Sequence, residues 1–176
     1  MYEVELKVRA DHDVVRERLT DTDATRIDAV EQVDTYYDSP NRDFAETDEA
    51  LRIRTEQNDG ETTRLTYKGP LIEAESKTRE EAETAVDDAD ALEAILDGLG
   101  YEPAATVHKE RTRYAYRGYT ISLDTVEGLG EFVEVETETE DDVESAREGA
   151  RAVMDALGLQ PETQIRTSYL GLLLDA

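Results

Sequence analysis

Apolar and polar residues alternate without a break over residues 2–9: Val4, Leu6 and Val8 share one side, and Glu3, Glu5, Lys7 and Arg9 the other. A two-residue period is the mark of a strand with two unlike faces. Asp11 suits a helix N-cap and predicts a short helix over 11–19. Residues 25–38 are predicted to be extended, ending in Asp34-Thr35-Tyr36-Tyr37-Asp38 and interrupted at Ser39-Pro40. Segments 50–57 and 61–68 flank Asn58-Asp59-Gly60 and predict a hairpin, with Gly69-Pro70 stopping its second strand. Alternation returns over 76–86, ahead of an acidic helix predicted over 87–99 and closed by Gly100. Segments 106–117 and 119–126 predict a second hairpin turning at Gly118, and 131–139 a further strand. A helix is predicted over 141–157, before Gly158 and Pro161, while 168–174 is a short apolar segment to which the pattern assigns no state.

About eight strands, with helices before, between and after them, predict an α+β fold rather than βαβ units. Strands this numerous, joined mostly by tight turns, could close into an antiparallel β-barrel and so remove exposed edges. At 176 residues the chain can bury its own core, and no linker or repeat interrupts it, so residues 1–176 are expected to form a single domain. There is no cysteine, which rules out a disulfide framework and a cysteine–zinc site. No basic start leads into a long apolar run, and no run of ~18 apolar residues occurs, so a soluble, cytoplasmic protein is the expectation.

Charge adds a constraint, with 44 Asp+Glu against 19 Lys+Arg and a formal net charge of −25. High net charge with low hydrophobicity can signal disorder. The apolar periodicity runs almost end to end, however, and argues for a folded domain. Adaptation to high salt reconciles the two, since salt screens the self-repulsion of an acidic surface while the charge keeps the chain soluble. A net negative field also disfavours nucleic acid and anionic membranes as partners.

Against this background the charges on the strands stand apart. Arg52 and Arg54 lie opposite Leu51 and Ile53, and Arg64, Thr66 and Lys68 alternate with Leu65 and Tyr67. Lys77, Arg79, Glu81 and Glu83 share a face; so do Lys109, Arg111 and Arg113, then Ser122 and Asp124, then Glu134 and Glu136. A charged face on an antiparallel sheet is ordinarily solvated. A solvated face in this chain should share the acidic bias of the helices, yet these faces hold all four lysines (Lys7, Lys68, Lys77 and Lys109) and many arginines. If the faces converge inside a barrel, the cations line a cavity suited to a polyanion, and the clustered carboxylates suit a hard divalent metal.

The same residues carry a resemblance. Glu3-Val4-Glu5-Leu6-Lys7 resembles the ExExK signature of the CYTH superfamily, the triphosphate tunnel metalloenzymes. It is joined, in the family's order, by Asp34-Thr35-Tyr36-Tyr37-Asp38, Ala50-Leu51-Arg52-Ile53-Arg54 and Leu65-Thr66-Tyr67-Lys68-Gly69-Pro70. Lys77-Thr78-Arg79-Glu80-Glu81-Ala82-Glu83, Lys109-Glu110-Arg111-Thr112-Arg113-Tyr114 and Leu123-Asp124-Thr125-Val126 follow. Leu129-Gly130-Glu131-Phe132-Val133-Glu134-Val135-Glu136 and Ser168-Tyr169 complete the set. Residues 2–7 and 130–136 look most like class IV adenylate cyclases, whose relatives include inorganic and thiamine triphosphatases.

The resemblance implies an eight-stranded antiparallel tunnel with helices packed outside, acting on ATP, tripolyphosphate or thiamine triphosphate with Mg2+ or Mn2+. It implies Glu3, Glu5, Glu134 and Glu136 as metal carboxylates, with Asp124 as a further ligand. Lys7, Arg52, Arg54, Lys68, Lys109, Arg111 and Arg113 would hold the phosphates, the arginines by forked hydrogen bonds. Arg79 would join them unless Glu81 and Glu83 pair with it. Glu5, Lys7, Asp124 and Glu136 are the residues expected nearest the chemistry. His108 precedes Lys109 and so faces the other way, and His12 sits at a helix start, so neither is placed as a base. Tyr36, Tyr37, Tyr114 and Tyr169 could line the tunnel mouth or pack in the core. Phe132 shares the face of Glu134, and Leu170, Leu172, Leu173 and Leu174 could seal the barrel or form a homodimer contact.

Overall fold

Eight antiparallel strands close on themselves in the computed structural model, which describes residues 1–175. In chain order the elements are β1 (Tyr2–Arg9), α1 (His12–Thr20), β2 (Thr25–Asp38), α2 (Phe44–Thr47), β3 (Ala50–Gln57), β4 (Glu61–Leu71) and β5 (Lys77–Val86). Then come α3 (Ala89–Gly98), β6 (Glu102–Tyr116), β7 (Tyr119–Val126), β8 (Gly130–Thr139), α4 (Val143–Ala156), a 3-10 turn (Pro161–Thr163) and α5 (Tyr169–Leu174). Around the barrel the order is β1-β5-β4-β3-β2-β6-β7-β8, with β8 returning to β1. Closure leaves no strand edge to template aggregation, so the acidic surface is not needed for that task.

Four local differences from the pattern have physical causes. β4 does not stop at Gly69-Pro70. It shifts register there and pairs Leu71 with Arg79, because a bulge at a strand's end tolerates a residue without an N–H. β6 starts at Glu102, and its pairing with β2 crosses Pro103 by a similar shift. The turn α2 is too short to show a helical period. Asp43 caps it by accepting from the Ala45 and Glu46 amides at 3.0 and 3.3 Å. Residues 169–174 form a helix capped by Ser168, whose hydroxyl accepts from the Gly171 amide at 3.0 Å. Gly118 turns the β6–β7 hairpin as expected, with φ of 82° following 53° at Arg117, the paired positive angles of a tight hairpin turn.

The pleat sends apolar side chains outward and charged ones inward, the reverse of an ordinary soluble sheet. On the outside, Leu6, Leu123, Val133 and Val135 form a core with Val15 and Leu19 of α1 and Val153 and Met154 of α4. Fully burying such a side chain stabilises by about 1.5–3 kcal/mol. Gly149 lets α4 lie close: a Cβ there would stand 1.9 Å from the Tyr119 hydroxyl, which donates to the Ala146 carbonyl at 2.8 Å. A second outer cluster joins Tyr37 and Ile53 to Leu96 of α3. A third closes one end of the barrel, where Val107, Val126 and Phe132 meet Tyr169, with Leu170, Leu172 and Leu173 against them. Three of the four leucines therefore pack against the barrel, and Leu174 remains 71% exposed. No helix among the described residues is long and apolar enough to cross a membrane.

Candidate active site

The inward charges line one cavity of about 650 Å³ that runs along the barrel. Its acidic side comes from neighbouring β1 and β8. Glu5 and Glu136 are directly opposed in the ladder, and single carboxylate oxygens of Glu3, Glu5 and Glu136 all lie within 4.8 Å of one another. Two lysines supply counter-charge. Lys68 Nζ lies 2.9 Å from both Glu3 Oε1 and Glu81 Oε2, and Lys77 Nζ lies 3.1 Å from Glu5 Oε1.

The cationic side comes from β3 and β6, which flank β2. Asp34 of β2 sits between them and accepts from Arg54 Nε and Nη2 at 2.6 and 2.8 Å, with Lys109 Nζ at 3.5 Å and Arg52 at 4.0 Å. Arg111 is held by a fork and one further bond: both Asp124 oxygens at 2.6 Å and Glu134 Oε2 at 2.7 Å. Arg52 is different. It bonds Thr66 Oγ1 at 3.2 Å, but its buried Nε has no hydrogen-bond partner among the described residues. A buried donor left unmade costs about 1–3 kcal/mol, which an incoming oxyanion would relieve.

The electrostatics show a cavity that has shed charge. Burial, then the nearby Glu3, pushes the Glu136 carboxyl up to about 8. Burial raises Glu81 to about 7 against the pull of Lys68. Burial, then Arg111 and Arg54, brings Lys109 down to about 7. Burial and Lys77 bring Lys7 down to about 8. Burial alone would raise Glu3, Asp34 and Glu134 too, but Lys68 beside Glu3, Arg54 beside Asp34 and Arg111 beside Glu134 hold each below the usual carboxylate range. At Glu136, Glu81, Lys109 and Lys7, burial and neighbouring like charges outweigh the counter-charges beside them.

The expected residues do not all meet at one surface. Glu3, Glu5, Glu134, Glu136, Arg52, Arg54, Lys68, Arg79, Lys109, Arg111 and Arg113 line the cavity together. Lys7 and Asp124 do not line it; both are fully buried, and Lys7 Nζ donates to the Thr167 carbonyl at 2.5 Å. Arg113 lies toward the far end, paired with Asp28 at 2.7 Å and Glu56 at 3.1 Å. Arg79 is engaged, but not by Glu81 or Glu83. It bonds the Gly69 and Asp48 carbonyls at 2.7 and 2.8 Å and the Asp48 carboxylate at 3.1 Å. Of the tyrosines, Tyr36, Tyr37 and Tyr169 reach the cavity, while Tyr114 packs against the outer core. His12 is buried with Nε2 at 2.9 Å from the Phe132 carbonyl, and His108 is exposed.

Lys77 and Glu81 line the cavity, and Asp34 anchors its cationic wall from behind, yet none of the three was named as a site residue from the pattern. Each lay in a quoted motif and at the right parity. Nothing in one strand's spacing shows, however, that Asp34 would face two arginines and a lysine from two other strands.

The Glu3–Glu5–Glu136 group suits a hard divalent cation, since such ions take carboxylate oxygens.

The CYTH domain family model matches residues 1–169. The chain is 39% identical over 175 residues to a Methanocaldococcus jannaschii protein named "putative adenylate cyclase", covering 98% of each. It is 31% identical over 112 residues to adenylate cyclase CyaB of Aeromonas hydrophila, covering 64% of this chain and 55% of that one. A solved structure of a Pyrococcus horikoshii protein matches with a TM-score of 0.90 at 42% identity, over 98% of both chains.

Proposed function

The chain belongs to the CYTH domain family, and on that footing we propose that it is an adenylate cyclase, converting ATP to cyclic AMP and pyrophosphate with Mg2+ or Mn2+. The observation that carries the reading is the apposition, across one cavity, of a carboxylate cluster on β1 and β8 and an arginine–lysine wall on β3 and β6. A triphosphate bears about four negative charges, and chemistry at it is mainly positioning and charge neutralisation.

In this reading Arg52, Arg54, Lys109 and Arg111 hold the phosphate oxygens, and Lys68 and Lys77 shift between the acids and the substrate. Glu3, Glu5 and Glu136 would hold the divalent cation, with Glu134 beside them. When bound, that ion draws charge from the phosphate oxygens and eases loss of the ribose hydroxyl proton. Cyclisation joins the ribose 3′-oxygen to the α-phosphorus and breaks its bond to pyrophosphate. The cationic wall orients the chain for in-line departure.

Hydrolysis of a triphosphate would use the same clamp, so the charges support a triphosphatase equally. The other end of the cavity favours a nucleotide. Between α2 and α5 it is lined by Tyr36, Phe44, Leu51, Ala105 and Leu170, an apolar surface that a base would bury and that inorganic tripolyphosphate has no use for. Incubation with ATP, tripolyphosphate or thiamine triphosphate and a divalent metal, followed by separation of products, tests this directly. Cyclic AMP and pyrophosphate are expected from ATP; orthophosphate with ADP from ATP, or with pyrophosphate from tripolyphosphate, and no cyclic AMP, would replace the cyclase reading with the triphosphatase one.

A further inference from the structure

Tyr169, the first residue of α5, fills a corner of the barrel that the cavity would otherwise enter. Two ammonium groups lie over its ring, with Lys7 Nζ 4.3 Å and Lys109 Nζ 5.0 Å from its centroid. Its hydroxyl donates to Asp124 Oδ2 at 2.7 Å, the carboxylate that also grips Arg111. On its far side the ring meets Phe132 edge to face, at 5.0 Å between centroids. Tyr169, Lys109 and Arg111 line the cavity, whereas Lys7 and Asp124, both in contact with Tyr169, are fully buried outside its lining. The barrel therefore carries one more inward lysine than a bound phosphate chain can touch, and a single side chain separates the two.

We propose that Tyr169 is a specificity-determining residue that ends the phosphate track at Lys109 and Arg111 and so selects triphosphates over longer chains. This rests on the triphosphate reading of the cavity. A phenol ring is comparable in size to a phosphate group. Its removal would open space for one further phosphate and bring that phosphate to Lys7, whose Nζ lies 4.3 Å from the ring centroid. The hydroxyl has a separate part. By orienting Asp124 it fixes Arg111, so its loss should weaken binding of any polyphosphate without changing the preferred length.

The test is calorimetric binding of tripolyphosphate and tetrapolyphosphate to the wild-type protein and to Tyr169→Ala, Tyr169→Leu and Tyr169→Phe. The alanine variant is expected to raise the tetra-to-tri affinity ratio about tenfold, the worth of one added charge-assisted contact. Adding Lys7→Met should return the ratio to its wild-type value, and Tyr169→Phe should leave it unchanged while weakening both ligands. A purely structural residue would change melting temperature and both affinities together, not their ratio. If the alanine variant does not fold, Tyr169→Leu keeps the apolar contact with Phe132 while giving up the ring, and the same rise is expected there. An unchanged ratio in folded variants that still bind tripolyphosphate overturns the inference and leaves the triphosphate reading standing. Failure of the wild-type protein to bind either probe overturns both.

Discussion

The β1–β7–β8 side of the barrel and the β4–β5 side face the same cavity but differ on their outer surfaces. On the first, Leu6, Ile121, Leu123, Val133 and Val135 lie at or near zero exposure beneath α1 and α4. On the second, the outward residues of β5 include Glu80, Ala82 and Thr84, all exposed. The seams differ too: β1 pairs with β8 from Tyr2 to Arg9 but with β5 only from Tyr2 to Glu5. Glu3 and Glu5 rise from the dry side, and their counter-ions Lys68 and Lys77 from the wet one. Mutually repelling carboxylates would spread a thinly packed sheet, so they are held where the backbone has most support. The lysines, which need to exchange partners, come from where it has least.

The largest expected effect sharpens that contrast directly. Leu123→Ala on the dry side should destabilise the protein by ~2–5 kcal/mol, through lost burial and a cavity. Thr84→Ala on the wet side should stay within about 0.5 kcal/mol. Urea melts of both measure the difference, and equal losses would erase the distinction.

Next comes the acid cluster itself. The double substitution Glu5→Gln with Glu136→Gln should lower metal-dependent turnover by about 10²-fold or more, as loss of a main electrostatic element does. The metal-free protein should melt no lower, because a crowded set of buried acids contributes little to stability. Full turnover of this variant in chelator would remove the metal assignment.

On the opposite wall, Arg52→Ala should weaken tripolyphosphate binding by ~1.5–3 kcal/mol, the range for a buried charge-assisted bond. Arg16→Ala, whose partner Asp13 lies 3.3 Å away on exposed α1, should change it by ~0–1 kcal/mol. Comparable losses at both positions would mean that the cationic wall is not a site.

The smallest effect is a pH dependence. Lys109 is lowered to about 7 from 10.5, so the empty folded protein loses this proton where the unfolded chain keeps it. Its contribution therefore makes stability rise with pH between about 7 and 10.5, the window in which the unfolded state binds more protons. Triphosphate binding runs the other way. A polyanion favours the ammonium, so binding takes up a proton and affinity falls by up to about tenfold per pH unit above 7. Calorimetry in buffers of unlike ionisation enthalpy counts that proton. Lys109→Arg, which stays charged, should flatten the slope, and a slope unchanged in this variant would assign the proton elsewhere.

Much of this was legible in the chain because strands carry their two faces in a two-residue period. Val4, Leu6 and Val8 against Glu3, Glu5 and Lys7 specified which side of β1 would be charged, and the same rule held for Arg52, Lys109 and Glu136. The lysine placement, against a net charge of −25, pointed inward before any strand was paired. Parity alone could not say which charges would meet. Arg79 had the parity of a phosphate ligand, but Asp48, in a left-handed turn with φ of 56°, reaches over and takes it. Lys7 and Asp124 had it too, yet both are buried against a tyrosine from the far end of the chain.

The sequence by itself determined the strands, their faces and the sign of the charge on each, because those follow from local periodicity and composition. Only the tertiary structure decided which carboxylate discharges which cation, and where the cavity ends. Those outcomes depend on barrel register and on contacts such as Tyr169 with Lys7, made between residues remote in the chain, and no local pattern encodes a distance of that kind.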